Sequence, residues 1–252
     1  MVLGLGGSEV EHGDRYVVVR TPANPTYFWG NFVLFATPVE PDAMEERLDL
    51  FAGVFPDAAH VAWGIDSVDG TVGAEEELIA AGFDVSRDTV LIASELHRSA
   101  RPTDAELRPI ESDADWRQAL ALHIACTEGD EHVTEEFLAG QVAAARALTE
   151  LGHASWFGVF EDGRLLSSLG IVSDGSGLAR FQSVETHPDA RRRGLASALV
   201  HHAGKAALDR GAKRLVIVAD PGYHAIGIYR SLGFVDWETQ VQLTRPPGST
   251  GT

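Results

Sequence analysis

The chain has 252 residues, of which 44% are hydrophobic and 23% charged, and its formal net charge at pH 7 is −17. This composition is typical of a soluble globular protein, and the acidic balance argues against general binding of nucleic acid or anionic membranes. No apolar run is long enough to span a bilayer, and the start of the sequence does not resemble a signal peptide. Cys126 is the single cysteine. We therefore expect a cytoplasmic protein without disulfides.

The first hundred residues alternate predicted strands and helices. Residues 1–14 are rich in glycine and acidic residues, and we expect them to be frayed. Strands are predicted at 16–20, 27–35, 60–65 and 90–95, and helices at 41–55 and 75–81. In the first of these helices Met44, Leu48 and Phe51 form an apolar stripe, and Gly82 is a typical glycine stop for the second.

The rest of the chain follows a short linker at 98–103. Strands are predicted at 107–110, 156–161, 165–172, 180–186, 215–219 and 235–243, and helices at 113–124, 134–148, 194–210 and 225–232. Asp162 and Gly163 indicate a hairpin turn, and residues 245–252 read as a disordered tail. We therefore predict two domains, 1–100 and 101–246, and a tail at 247–252.

One stretch, residues 184–196, combines a buried strand, a turn at Pro188 and the start of a helix. Such a helix start offers free backbone N–H groups and a partial positive charge, and Gly194 has no Cβ to keep a ligand away. Residues 179–214 hold 8 lysines and arginines against 3 acids, whereas residues 1–100 hold 5 arginines against 17 acids. The pattern predicts a diphosphate-binding site, but it matches neither a Rossmann glycine motif nor a P-loop.

Two motifs resemble signatures of the GNAT superfamily of N-acetyltransferases. Arg191, Gly194 and Ala196 form Arg-x-x-Gly-x-Ala, and Ala225 to Phe234 form Ala-x-x-x-Tyr-x-x-x-Gly-Phe around Tyr229. The resemblance covers about residues 103–245 and implies an α/β, mixed-sheet, GNAT-like acyltransferase fold that binds acetyl-CoA. The cofactor-binding residues it implies are Val184, Thr186, Arg191, Arg192, Arg193, Gly194, Leu195, Ala196, Ser197 and Tyr229.

The first hundred residues repeat the order of elements in the second half of a GNAT domain, and residues 78–83 are similar to residues 229–234. Where the diphosphate motif would stand, however, Glu40 and Asp42 would repel a diphosphate. We therefore interpret residues 1–100 as a degenerate, partial GNAT-like domain that binds no coenzyme A; an unrelated small α/β domain is the alternative.

The resemblance also implies catalytic roles. Tyr229 matches the tyrosine that faces the sulfur of coenzyme A, so we expect it to act as general acid. Glu185 lies on the central strand near the expected thioester, and we expect it to act as base, with His224 or a water molecule as alternatives. Backbone N–H groups near Val184 would polarise the thioester carbonyl.

The acceptor is predicted from an acidic segment between the first two helices of the second domain. Glu128, Asp130 and Glu131, with Glu135 and Glu136 nearby, would favour a cationic amine; a solvated acidic loop is the alternative. His224 precedes the last helix and is a further candidate for acceptor binding. The ten histidines show no metal-ligand spacing, so we expect no metal.

The sequence as a whole predicts an N-acetyltransferase. The acetyl group of acetyl-CoA would move to a primary amine, of a small molecule or a peptide, by direct attack in a ternary complex. The alternative is a non-catalytic acyl-CoA-binding or regulatory module. No nucleic-acid or membrane partner is expected, and a homodimer is left open.

Overall fold

The structure is a computed structural model that describes residues 1–25, 27–127 and 134–248. The strands are β1 (Glu9–His12), β2 (Tyr16–Arg20), β3 (Phe32–Phe35), β4 (Val61–Ile65), β5 (Asp84–Ala93), β6 (Glu106–Pro109), β7 (Ala154–Glu161), β8 (Arg164–Ser173), β9 (Leu178–Thr186), β10 (Arg214–Ala219) and β11 (Val235–Arg245). The helices are α1 (Val2–Leu5), α2 (Met44–Val54), α3 (Glu75–Ala80), α4 (Asp113–Thr127), α5 (Glu135–Glu150), α6 (Leu195–Asp209) and α7 (Ala225–Ser231).

All these strands belong to one mixed sheet. Their order is β1-β2-β3-β4-β11-β5-β10-β9-β8-β7-β6. The pairs β3–β4 and β9–β10 are parallel, and the other neighbouring pairs are antiparallel. The mixed α/β fold expected from the sequence is therefore confirmed.

The order of the strands shows an exchange between the two halves of the chain. β5 comes from the first hundred residues but lies between β11 and β10, while β11, the last strand, lies between β4 and β5. Next to β11 lie β4 and then β3, and next to β5 lie β10 and then β9. The pair β4 and β3 therefore corresponds to the pair β10 and β9 on the other side of the β5–β11 pair. The predicted units 1–100 and 101–246 thus share one continuous sheet, and each completes the other's half.

Strand alternation divides the core between the two faces of the sheet. One face packs against α2, α3, α6 and α7, and side chains such as Phe51, Leu78 and Leu199 are buried there. Met44 and Leu48 of the predicted stripe pack against the same core. The other face carries α4 and α5 over β7 and β8, where Trp116 and Trp156 lie with ring centroids 6.2 Å apart. The core formed by these two helices includes no residue of β3, β4 or β11.

Local signals in the sequence correctly mark several boundaries. Asp162 and Gly163 both have positive φ, of 48° and 78°, as a tight hairpin turn requires. Gly82 and Gly233 end α3 and α7 with φ of 85° and 98°. Thr134 caps α5 by accepting a hydrogen bond from the N–H of Phe137.

Other expectations were wrong. The chain start is not frayed: α1 and β1 form there, and β1 pairs with β2. The strand predicted at 27–35 is interrupted by a 3-10 turn at Phe28–Gly30, so only Phe32–Phe35 is extended. β5 begins at Asp84, six residues earlier than predicted, because it pairs along most of β11. Arg245 belongs to β11 rather than to the tail, whose last residues lie outside the described ranges.

Within the described ranges, no helix has the length and apolar character needed to cross a lipid bilayer.

Candidate active site

The candidate site lies where the two parallel strands of the second half separate. β9 and β10 pair only through Leu178–Arg180 and 214–216, although β9 continues to Thr186 and β10 to Ala219. A cavity of about 850 Å³ opens at this end of the strands. It is bounded by residues 184–186, the start of α6 and the side chains of α7.

A bulge in β9 sets which side chains face this cavity. Ser168 of β8 pairs with Glu185 and Gly170 pairs with Gln182, so the register shifts between them. Ser183 has φ of 47° at the shift, a left-handed value that a non-glycine residue adopts at a cost. The bulge turns Val184 and Glu185 toward the cavity, which regular alternation would not do for both.

The start of α6 provides the anion-binding end of the cavity. Gly194 is the N-cap residue with φ of 85°, and in the described structure no side chain caps the first turn. The N–H groups of Leu195, Ala196 and Ser197 therefore belong to an uncapped helix end beside the cavity. Nine of the ten predicted cofactor residues line it: Val184, Thr186, Arg191, Arg192, Gly194, Leu195, Ala196, Ser197 and Tyr229.

Arg193 is the exception among the predicted cofactor residues. Its guanidinium forms an ion pair with Glu161 of β7, and its side chain does not line the cavity. Arg101, which the sequence reading did not single out, lines the cavity instead and donates to the carbonyl of Arg192 at 2.9 Å. The linker between the halves is thus part of the site's wall.

Gly194 is required for a reason that the sequence did not reveal. A Cβ at this position would lie 2.7 Å from the Cβ of Arg101, and the backbone there has positive φ. The Oγ atoms of Ser99 and Ser197 lie 3.0 Å apart and hold the same linker against α6. Gly194 therefore allows the linker to pack on the helix start as well as leaving the helix end open.

Tyr229 lines the cavity from α7 and is only 6% exposed. Burial raises the pKa of its phenol to about 12. The group therefore keeps its proton at neutral pH and can act as a hydrogen-bond donor.

Glu185 is paired with a histidine that sequence reasoning missed. Its Oε1 lies 2.5 Å from Nδ1 of His123 on α4, and Nε2 of His123 lies 2.7 Å from Oε1 of Gln141 on α5. The contact with Glu185 raises the pKa of His123 above its usual value, although burial opposes the shift. Glu185 reaches the cavity, whereas His123 lies behind it.

The predicted acceptor residues are only partly within the described structure. His224 lines the cavity just before α7, with its ring 4.2 Å from that of Tyr223. Glu128, Asp130 and Glu131 lie outside the described residues. Cys126 also lines the cavity and donates to the carbonyl of Thr186 at 3.4 Å; burial raises the pKa of its thiol, which disfavours a nucleophilic role.

Among the described residues, no three histidine, cysteine or acidic side chains form a group that could hold a metal ion.

A mixed sheet whose parallel strands separate beside an uncapped helix start defines a GNAT-like acyltransferase fold. Residues 116–234 match the family model described as "Acetyltransferase (GNAT) family", so this part of the chain is similar to a GNAT acetyltransferase domain. No curated protein matches the sequence.

Solved structures share the fold over nearly the whole chain. A functionally unknown conserved protein from Staphylococcus epidermidis has 12% identity and a TM-score of 0.77, and the alignment covers 94% of this chain and 93% of the other. A GCN5-related N-acetyltransferase from Kribbella flavida has 17% identity and a TM-score of 0.67, with 98% and 96% covered. A tandem GNAT protein from the clavulanic acid biosynthesis pathway has 15% identity and a TM-score of 0.60, with 98% and 88% covered. At these identities the likeness shows the fold.

Proposed function

We propose that the protein is an N-acetyltransferase that transfers the acetyl group of acetyl-CoA to a primary amine by direct attack in a ternary complex. The observation that carries the proposal is the single cavity of about 850 Å³, which joins an uncapped helix start to a buried tyrosine at the point where β9 and β10 separate. A cytoplasmic location remains a prediction from the single cysteine.

The start of α6 would hold the diphosphate of acetyl-CoA. Backbone N–H groups of residues 195–197 point out of an uncapped helix end, and Arg191 and Arg192 line the same part of the cavity. Acetyl-CoA, when bound, supplies an activated acetyl thioester. Backbone N–H groups near Val184 would donate to its carbonyl oxygen as charge develops there.

Tyr229 would donate to the departing sulfur. Because burial raises its pKa to about 12, the phenol stays protonated across the physiological range. A protonated phenol stabilises negative charge as it forms on sulfur, which is the role of a general acid.

Glu185 would accept the proton that the acceptor must lose. A primary amine resembles lysine, with an unperturbed pKa of about 10.4, so it arrives protonated and cannot attack until it is neutral. Glu185 faces the cavity, and its contact with His123 gives the proton a second place to reside. His123 acts through Glu185 and is a positioning residue in this proposal.

The test is release of free thiol from acetyl-CoA by the full-length chain across a panel of primary amines. We expect release that depends on the amine and yields the acetylated product. Binding of acetyl-CoA without amine-dependent release would instead support the non-catalytic acyl-CoA-binding module.

The diphosphate site is tested by one matched pair of variants. Ala196→Asp places a negative charge in the first turn of α6 beside the cavity, and Ala196→Asn adds nearly the same volume without charge. An acidic residue suits a helix N-terminus, so Ala196→Asp should not weaken the fold. We expect calorimetry to show about tenfold or greater loss of acetyl-CoA affinity for Asp relative to Asn, and equal affinities would remove the assignment.

A further inference from the structure

A second cavity, of about 430 Å³, lies on the face of the sheet that carries α4 and α5. Its floor comes from β3, β4, β11, β5 and β9. In the described structure α4 and α5 form their core over β7 and β8, and α4 also contacts β9 at Glu185, but this core includes no residue of β3, β4, β11 or β5. Val2 and Leu3 of α1, with Tyr27 and Trp29, form its apolar wall. None of the site residues discussed so far lines this cavity.

Arg180 lines the cavity from β9 as a half-buried cation that has no counter-ion among the described residues. Its neighbours on the strand, Ala179 and Phe181, are buried in the core on the opposite face, so Arg180 must face the cavity. Its Nε is buried without a hydrogen-bond partner, and in the described part of the chain its guanidinium forms no ion pair. Burial lowers the pKa of Arg180, and Tyr27, the one group that opposes this, is a phenol whose own pKa burial raises.

The carboxylates that line the same cavity lie at its far end. Arg180 is aligned with Val216, then Ile92, then Val235 across three strand spacings, and Glu238 lies on that last strand. At about 4.8 Å per spacing, the backbone of Glu238, which pairs with Val90 further along the strand, is at least about 14 Å from that of Arg180. Asp66 follows β4, one strand further away. A guanidinium whose Nε is shielded from water and which pairs with neither carboxylate is costly to hold there unless a ligand anion pairs with it.

The cavity adjoins the candidate active site along β9. Gln182 lines the cavity, and Val184 and Glu185 of the same strand line the active site. Val184 lies four positions after Arg180 on this strand, a distance of about 13 Å at most. Glu185 contacts His123 of α4, which in turn contacts Gln141 of α5, so Glu185 is approached from the same face. Tyr27 of the cavity wall lies with its ring 5.8 Å from that of Phe137, so α5 borders the cavity on this side.

We propose that this cavity is the acceptor subsite and that Arg180 binds a carboxylate on the amine acceptor, at a distance from the reacting nitrogen. The inference rests on the proposed function, because it assigns the acceptor of that reaction. The substrate class is then an amino carboxylate whose amine and carboxylate are separated by a spacer, and the apolar wall accommodates the spacer.

A carboxylate fits the cavity better than a phosphate group. The fork of a guanidinium matches the two oxygens of a carboxylate in one plane. A phosphate monoester carries up to two charges, and Asp66 and Glu238, which line the same cavity, would repel it more strongly than a singly charged carboxylate.

This inference changes the expectation drawn from the acidic segment at 128–136. That segment predicts a cationic amine as the acceptor, but most of its acidic residues lie outside the described ranges. An acceptor whose carboxylate is held by Arg180 points its ammonium toward Glu185. The acceptor is then zwitterionic rather than purely cationic.

Direct binding to the full chain tests the subsite without requiring turnover. The probes are an ω-phenyl alkanoic acid, which has no amine, its primary amide and the matching phosphonate, each titrated by calorimetry. We expect the carboxylate to bind at least about tenfold more tightly than the amide, and Arg180→Met to abolish that difference. Met fills similar volume, and replacing a buried charge by an apolar residue need not weaken the fold.

Two controls accompany this titration. Arg117→Met removes the same charge from an exposed position on α4 and should leave binding unchanged. Arg180→Lys keeps the charge but loses the fork, so we expect partial retention of the carboxylate preference. Equal binding of acid and amide, or unchanged binding in Arg180→Met, overturns the proposal; tighter binding of the phosphonate overturns its carboxylate class.

Kinetics then separate this inference from the proposed function. With a series of ω-amino carboxylic acids and their amides as acceptors, Arg180→Met should raise KM for the acids about tenfold or more and leave kcat and the amides unaffected. Turnover of amines with no preference for the acids overturns the subsite but keeps the acetyltransferase. Carboxylate binding that depends on Arg180, without turnover of any amine, keeps the anion site and overturns the acetyltransferase.

Discussion

The two halves of the sheet contain the same junction of parallel strands but treat it differently. In the second half β9 and β10 pair over three residues and then separate, which leaves the cavity. In the first half β3 and β4 pair to their ends, and the N–H of Asp66 continues the ladder to the carbonyl of Phe35 at 2.8 Å. No gap opens there for a thioester.

The loop after β3 is also occupied by the first half's own backbone. The N–H of Val39 donates to the carbonyl of Val72, and the N–H of Ala74 donates to the carbonyl of Val39, at 2.7 and 2.8 Å. Arg47 of α2 donates to the carbonyl of Pro38 at 2.8 Å from the other side. The same arrangement of strands and helices therefore makes a ligand site only where the strands part and the helix start is left open.

From the strand exchange we infer that the first half helps to build the site of the second half. β5 is the strand that covers β10, and the linker after it supplies Arg101 to the wall of the active site. Tyr27 and Trp29 of the first half line the second cavity. The first half completes the site of the second half without repeating it.

The largest expected effect concerns Tyr229, which corresponds to Leu78 in the first half. Tyr229→Phe removes the hydroxyl but keeps the buried ring, so we expect unchanged acetyl-CoA binding and a loss of about 10²- to 10⁴-fold in turnover. Calorimetry and steady-state rates measure the two quantities separately. The wild-type rate should also show no alkaline decline from this phenol below about pH 11, because its pKa is raised to about 12.

Tyr223→Phe is the matched control for that substitution. Tyr223 also lines the cavity but is 50% exposed. Two outcomes would contradict the prediction: a loss of turnover in Tyr223→Phe as large as that in Tyr229→Phe, or turnover in Tyr229→Phe that stays within a few-fold of wild type. Either result would show that the two halves differ in packing and not in chemistry at this position.

The second prediction concerns the closed loop of the first half. Gly73 has φ of 99°, and a Cβ there would lie 2.0 Å from the carbonyl oxygen of Val39. Gly73→Ala should therefore lower the free energy of unfolding by about 3 kcal/mol, through backbone strain and loss of the Val39 contacts together. Chemical denaturation measures the change.

Gly152→Ala separates the two contributions. Gly152 has φ of 78°, but nothing lies within 4 Å of an added Cβ, so this variant reports strain alone, about 1 kcal/mol. If Gly73→Ala is no more destabilising than Gly152→Ala, the loop is not held closed by this contact. We also expect Gly73→Ala to bind one acetyl-CoA per chain, since Glu40 and Asp42 remain where a diphosphate would lie.

Local features of the site could be predicted from the sequence because they depend on neighbouring residues. A helix start with arginines and Gly194, and a tyrosine one turn inside α7, are properties of short segments. Arg180 also had a local signal: it stands between two residues that are buried on the opposite face. Its position among the basic residues 179–214 suggests a place at the diphosphate site, but strand alternation separates it from them.

Features that depend on distant pairing could not be predicted. His123 meets Glu185 across 62 positions in the chain, and nothing in the sequence near either residue indicates the partner. Arg101 reaches Arg192 across 91 positions. The exchange of β5 and β11 is of the same kind, since either strand alone looks like an ordinary final strand of its own half.

The smallest expected effect concerns His123, which lies on a helix that has no counterpart among the helices over the first half. If a proton taken by Glu185 can pass to Nδ1 of His123, the pair must release the imidazole's proton before it can act as a base. Glu185 raises the pKa of His123 above 6.5, so the imidazole is protonated below that raised value and neutral above it. Turnover should then rise with pH through a limb that lies above pH 6.5.

His123→Gln keeps a hydrogen-bonding side chain but removes the titrating group, and we expect this limb to disappear while the rate at high pH falls by less than about tenfold. Gln141→Glu is the complementary change, because a second carboxylate at Nε2 should raise the pKa of His123 further and move the limb to higher pH. A profile that His123→Gln leaves in place would mean that Glu185 acts alone, and one that Gln141→Glu moves to lower pH would mean that the limb belongs to another group.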